Sequence, residues 1–249
     1  MRHAVSFVAA LALAAGAFTA AAVAKAPSAA IAAAVADPAR PAADTARDAE
    51  RKPAQIIAFA GVKPGDTVIE LMPGGGYFTR MLSKTVGPKG HVYGLVPEGF
   101  TKRPGALDGL NALAAQYGNV TIMPVDLASF KVPAPADVVW TSENYHDFHN
   151  GPTANIPGLN KAVFAALKPG GVYYIEDHAA AKGAGTTTTS TLHRIEAAAA
   201  IKEAEAAGFK LDGQSNLLAN PADTHDKPVF DPSIRGKTDK FALRFKKPR

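Results

Sequence analysis

The sequence predicts an α/β fold: a doubly wound sheet of seven strands, mostly parallel, closing with a terminal antiparallel hairpin strand. Three observations carry this. From Pro53 onward short apolar runs alternate with helical periodicities. The runs are continuously apolar, as in strands covered on both faces, rather than alternating. The last two runs have no helical pattern between them, which requires an antiparallel return.

"PAQIIAFAG" opens with proline at a first helical position and stops at Gly61. "DTVIEL" is the first strand. After "MPGGG", the residues Phe78, Met81, Leu82 and Val86 recur at helical spacing until Gly87-Pro88. "HVYGLV" is the second strand, and Leu107, Leu110, Leu113 and Tyr117 line a helix that Gly118 ends. "NVTIMPV" and "ADVVW" follow as strands three and four. Leu159, Val163, Phe164 and Leu167 mark a helix before the fifth strand, "VYYIE". "LHRIEAAAAIKEAEAAG" is a helix ended by Gly208. "FKLDGQSNLL" and "KFALRFK" complete the sheet. Phe241, Leu243 and Phe245 alternate with Lys240 and Arg244, so the final strand is expected to bury one face and sit at an edge.

The chain has 249 residues, no cysteine and a formal charge of +5. Arg2 and His3 precede an uncharged run from Ala4 to Ala21, and Ala22-Val23-Ala24 fits a signal-peptidase site. Residues 1–24 are therefore expected to be a cleaved leader, placing the mature chain outside the inner membrane, in the periplasm, without a stable membrane span. Residues 25–52 are rich in Ala and Pro and are expected to be a tether that becomes helical only near its end. Residues 53–249 form one domain. Without cysteine there is no disulfide and no thiolate metal site. The basic excess sits mainly in "RGKTDKFALRFKKPR", with no recognition element beside it, so nucleic acid is not an expected partner.

Five βα units, a helix and "AGF.L" leading into a terminal hairpin resemble the class I S-adenosylmethionine-dependent methyltransferases. The resemblance covers residues 53–247. "ERKPAQIIAFAG", "IELMPGGGYFT" and "YHDFH" resemble a group of predicted exported methyltransferases. It implies S-adenosylmethionine as cofactor, bound by the loop after strand one. Glu70 would meet its amino group, and the glycines of Pro73-Gly74-Gly75-Gly76 would let the backbone approach its amino-acid part. Met72 stands at the family's first glycine position. Val96 stands where an acid normally binds the ribose; Glu98, two residues on, either substitutes or is a solvated loop residue. Asp126 either contacts the adenine or caps its own turn.

Reactive groups in open α/β sheets gather beyond the carboxyl ends of the strands. Five of seven histidines lie between residues 146 and 225, with three at strand ends or loops on one rim. The candidate catalytic set is Tyr145, His146, Asp147, Asp177 and His178. His146 would take a proton from an O–H or N–H acceptor of a small-molecule substrate, Asp147 or Asp177 would orient its imidazole, and Tyr145 would position the substrate. No ligand signature is tight enough to assign a metal. Were a divalent ion present, His146 and His149 with Asp177 and His178 would hold it. The long segment between the last two strands is expected to be a lid, with His225 or Arg235 near the site. Two other uses of the fold stay open: a periplasmic metabolite-binding protein, and a metal-assisted hydrolase.

Overall fold

The computed structural model describes residues 26–249; the expected leader and its cleavage site lie outside the described residues. Seven strands form one sheet: β1 Thr67–Leu71, β2 His91–Pro97, β3 Val120–Val125, β4 Ala136–Ser142, β5 Leu167–His178, β6 Lys210–Ser215 and β7 Lys240–Lys246. Their spatial order is β3-β2-β1-β4-β5-β7-β6. All pairings are parallel except those of β7, which runs antiparallel to β5 and β6. The helices are α1 Ala29–Val35, α2 Ala42–Thr45, α3 Asp48–Arg51, α4 Pro53–Ala60, α5 Tyr77–Val86, α6 Asp108–Tyr117, α7 Ile156–Ala166 and α8 Ala197–Ala206.

Two apolar layers cover the sheet. Ile31, Ile56, Phe78, Met81, Trp140 and Tyr174 belong to one, and Ile69, Leu71, Leu159, Val163, Tyr173 and Phe245 to the other. The two-residue period of β1 sends Val68 to the first layer and Ile69 and Leu71 to the second. Glu70 therefore shares a side with Val68, where α5 meets it. The strand order reverses between β1 and β4, the point at which their following loops part and open a crevice.

Three expectations are corrected. Residues 29–51 are not a free tether. Helices α1 to α3 pack on α5, with Ile31 and Ala34 buried in the core. Arg40 donates to both oxygens of Asp48 at 2.8 and 2.6 Å, and Arg80 of α5 reaches Asp44 at 2.9 Å. Helices of four residues cannot hold themselves; these tertiary ion pairs and the buried Ile31 do it. Secondly, β7 is not an edge. It lies between β5 and β6, so Lys240 and Leu243 are both buried, and β6 is the edge. Thirdly, the last helix starts at Ala197 rather than at Leu192. Residues before it bind the end of β5 instead, through Ile195 N–H to His178 O at 3.0 Å and Ala180 N–H to Ile195 O at 3.0 Å.

Candidate functional site

The loop after β1 turns sharply at Met72, whose φ of +52° lies in the left-handed region. That is the conformation a glycine adopts freely and a side chain adopts at a cost of about 1–3 kcal/mol. It is held by Met72 N–H donating to Leu95 O at 2.8 Å and by Asn144 Nδ2 donating to Met72 O at 3.1 Å. A β-carbon at Gly74 or Gly75 would meet nothing within 4 Å, so both present bare backbone to open space. At Gly76 a β-carbon would stand 2.3 Å from Leu113, so this glycine serves helix packing.

Under the loop lies a cleft of about 160 Å³ bounded by Glu70, Met72, Gly74, Tyr77, Glu143 and Arg51. Glu70 is buried and accepts from Thr79 Oγ1 at 2.6 Å. Burial raises its carboxyl from 4.5 to about 7, against the opposing pull of Thr79, Arg51 and Arg80. Arg51 enters from the far wall, donating to Ser142 Oγ at 2.9 Å and pairing with Glu143 at 3.1 Å. Its Nε is buried without a partner. Lys240 also reaches Glu143, at 3.1 Å. Burial pushes the Glu143 carboxyl up, but Arg51 and Lys240 outweigh it and hold it near 2.

The Met72 side chain borders this cleft without filling it, and also borders a second, wider cleft of about 920 Å³. Glu98, Asp126, Phe148, Asp147 and Asn150 line the latter. Glu98 is exposed at the start of a 3-10 turn, and Val96 is buried. Asp126 caps its own turn: its carboxylate accepts from Ala128 N–H at 3.0 Å and Ser129 Oγ at 2.8 Å. Both acids face the wide cleft; Pro73, though buried, lines the narrow one.

The rim cluster divides. His146, Asp147 and His193 converge, with His146 Nε2 to Asp147 Oδ1 at 3.3 Å, His146 Nε2 to His193 Nδ1 at 3.3 Å and His193 Nδ1 to Asp147 Oδ1 at 3.2 Å. Behind them Asp177, fully buried, takes His146 Nδ1 at 2.7 Å and the His146 backbone N–H at 2.6 Å. Burial opposes charge on His146, but Asp177 and Asp147 outweigh it and lift the imidazole to about 10. With Nδ1 committed to Asp177, Nε2 is the ring nitrogen that faces Asp147 and His193 at the rim.

Tyr145 does not face substrate. It is fully buried, donates to Glu203 Oε2 at 3.0 Å and accepts from Asn160 Nδ2 at 2.9 Å. His149 joins the same internal network, at 3.0 Å from Glu203. His178 points away, to Thr238 Oγ1 at 2.7 Å, and burial holds it down at about 4. The metal set formed by His146, His149, Asp177 and His178 is therefore not assembled. The segment 216–239 is anchored over the rim: Arg194 donates to both oxygens of buried Asp223, at 2.8 and 3.1 Å, and Val229 N–H to Leu192 O at 3.1 Å. Within it His225 is engaged with Asp239 at 2.9 Å, and Arg235 is exposed.

Arg51 and His193 stand outside the candidate catalytic set read from the sequence. Arg51 falls in the stretch expected to be a tether, although "ERK" begins one of the quoted family segments. His193 falls in the stretch expected to be helical, yet it stands in the turn before the helix.

No protein-family model matches the chain. Over 125 residues it is 32% identical to the protein-L-isoaspartate O-methyltransferase of Ignicoccus hospitalis, a match covering 49% of this chain and 52% of that one. The chain thus spans about half the length of this curated relative. Among solved structures it resembles a SAM-dependent methyltransferase from Aquifex aeolicus, with a TM-score of 0.56, 17% identity and coverage of 80% and 89% of the two chains. It also resembles the N-methyltransferase NodS from Bradyrhizobium japonicum, with a TM-score of 0.56, 14% identity and coverage of 82% and 97%. With the strand order β3-β2-β1-β4-β5-β7-β6 and the antiparallel β7, the chain has the fold of the class I S-adenosylmethionine-dependent methyltransferase superfamily.

Proposed function

We propose that the protein binds S-adenosylmethionine and transfers its methyl group to an oxygen or nitrogen of a small-molecule acceptor. The observation that carries this is the narrow cleft itself. It offers a buried carboxylate, Glu70, an arginine, Arg51, and a wall of bare glycine backbone in one space. That donor set fits a zwitterionic amino acid: Glu70 would accept from its ammonium and Arg51 would pair with its carboxylate. When bound there, the cofactor supplies an electrophilic methyl on a sulfonium.

The chain's own contribution is orientation and charge. Glu98 and Asp126 line the wide cleft next to Met72 and would face the nucleoside part there. Asp147, partly exposed at the rim, lines the same wide cleft. The concave wide cleft supports a small acceptor rather than a flat macromolecular surface. The relative from Ignicoccus, an O-methyltransferase, supports an oxygen nucleophile.

A second reading is a metabolite-binding protein without turnover; the strained Met72 and the apolar Val96 favour it. Export to the periplasm is proposed on residues 1–24 alone, and among the described residues no helix is long and apolar enough to cross a membrane. Calorimetric titration with S-adenosylmethionine and S-adenosylhomocysteine tests the function. Micromolar binding of both is expected, and silence to both overturns it. Sequencing the N-terminus of protein from a periplasmic extract tests export; a chain still starting at Met1 contradicts it.

A further inference from the structure

The three-way contact at the rim is not explained by methyl transfer. His146 Nε2, Asp147 Oδ1 and His193 Nδ1 form a nearly equilateral triangle with sides of 3.3, 3.3 and 3.2 Å. Two imidazoles and a carboxylate bring at most two protons to these three contacts, so hydrogen bonding alone leaves one side unserved. A single cation above the triangle serves all three. Ligand atoms about 2.0–2.1 Å from a tetrahedral zinc ion stand about 3.3–3.4 Å apart, which is the spacing found here.

The surroundings fit the same conclusion. Asp177 is fully buried and holds His146 Nδ1 at 2.7 Å, leaving Nε2 aimed into the triangle. A carboxylate behind a ligating histidine is the usual way such a ring is fixed. His193 is held at φ +54°, a backbone conformation that a non-glycine residue adopts only when its neighbours enforce it. Here the enforcing neighbour is Arg194, fully buried and bound to Asp223, Ala179 O and Lys227 O. The exposed ring of Phe230 stands 4.9 Å from that of His193 and screens one side. Opposite, the Asp147 and His193 side chains keep 35% and 31% exposure, and Asp147 lines the wide cleft. The fourth position is thus open to the cleft, as in sites that exchange a water for a substrate atom.

We propose that His146, Asp147 and His193 bind one divalent transition-metal ion of the zinc class, with Asp177 as a positioning residue. Two imidazole ligands disfavour magnesium and calcium, which take oxygen sets. The proposal stands whether or not the narrow cleft holds a methyl donor.

The test is titration of tag-free, full-length protein with Zn(II) and Co(II) after removal of adventitious metal. One equivalent is expected to bind. Asp147→Asn and His193→Asn should lose it, and Asp177→Asn should weaken it about 10–100-fold. His149→Gln should leave it intact, because His149 is turned toward Glu203. Absence of stoichiometric binding to the native chain, or equal binding by the two ligand variants, overturns the proposal. Should those variants fail to fold, X-ray absorption of the zinc-loaded native protein decides: two imidazoles with oxygen support the site, and any other ligand set rejects it.

Discussion

The sharpest consequence of the narrow cleft is a pH dependence of ligand affinity carried by Glu70. Burial lifts its carboxyl from 4.5 to about 7. At about 1.4 kcal/mol per tenfold, keeping it ionised in the empty cleft costs about 3 kcal/mol. The sign follows from linkage: between pH 4.5 and 7 the folded chain holds this proton longer than the unfolded chain, so Glu70 destabilises the fold increasingly as pH rises through that window. An incoming ammonium needs the ionised form, so binding must expel the proton below pH 7. Calorimetry with S-adenosylhomocysteine should show affinity about 20-fold weaker at pH 5.5 than at pH 7.5, with a decline again above pH 8 as the ligand's own amino group deprotonates. Glu70→Gln should bind weakly throughout, lose the acid limb and melt higher than the native chain at pH 8. A native profile flat from pH 5.5 to 7.5, or a Gln variant with native affinity, refutes the role.

Further outcomes follow from the same structure. Arg51→Met removes the cation 3.1 Å from Glu143; it should weaken S-adenosylhomocysteine at least about tenfold and cost about 2 kcal/mol in denaturant melts. Arg194→Met strands the buried carboxylate of Asp223; a loss of about 3–5 kcal/mol and rapid protease nicking within 216–239 are expected, and unchanged nicking would contradict the anchoring. His178 stays neutral in the fold down to about pH 4. Its contribution is therefore complete above about 6.5 and disappears as pH falls toward 4, so His178→Gln should flatten the acid side of the melting-temperature curve. Tyr145→Phe should cost about 1–3 kcal/mol by unpairing Glu203 and Asn160, while leaving ligand affinity intact; a selective loss of affinity would restore Tyr145 to the site.

How much of this was legible in the sequence depends on the range of the interactions. Strands were plain because a doubly covered strand is written locally: β7 was bounded at Lys240 and Lys246 from its residues alone. The burial of Lys240 was not, because it depends on β6 lying outside β7. The segment 29–51 reads as a tether because Ile31 and Val35 are its only large aliphatic residues, and the partners that fold it, such as Arg80 on α5, lie far along the chain. Asp126 offered two readings, and the turn bonds to Ala128 and Ser129 were the local one. The loop "YHDFH" announced a polar site, yet its 3-10 geometry sends Tyr145 inward and brings Asp147 to the cleft. His193 pairs with His146 across 47 positions, a distance no periodicity reports.

The proposed function requires the amino-acid end of the cofactor to lie between Glu70 and Arg51, beside Gly74. A crystal structure of the protein grown with saturating S-adenosylhomocysteine tests that most directly. Density for the ammonium at Glu70 and the carboxylate at Arg51, with the adenine in the cleft of Glu98 and Asp126, is the predicted result. A ligand elsewhere on the molecule, or a cleft holding only water, contradicts it.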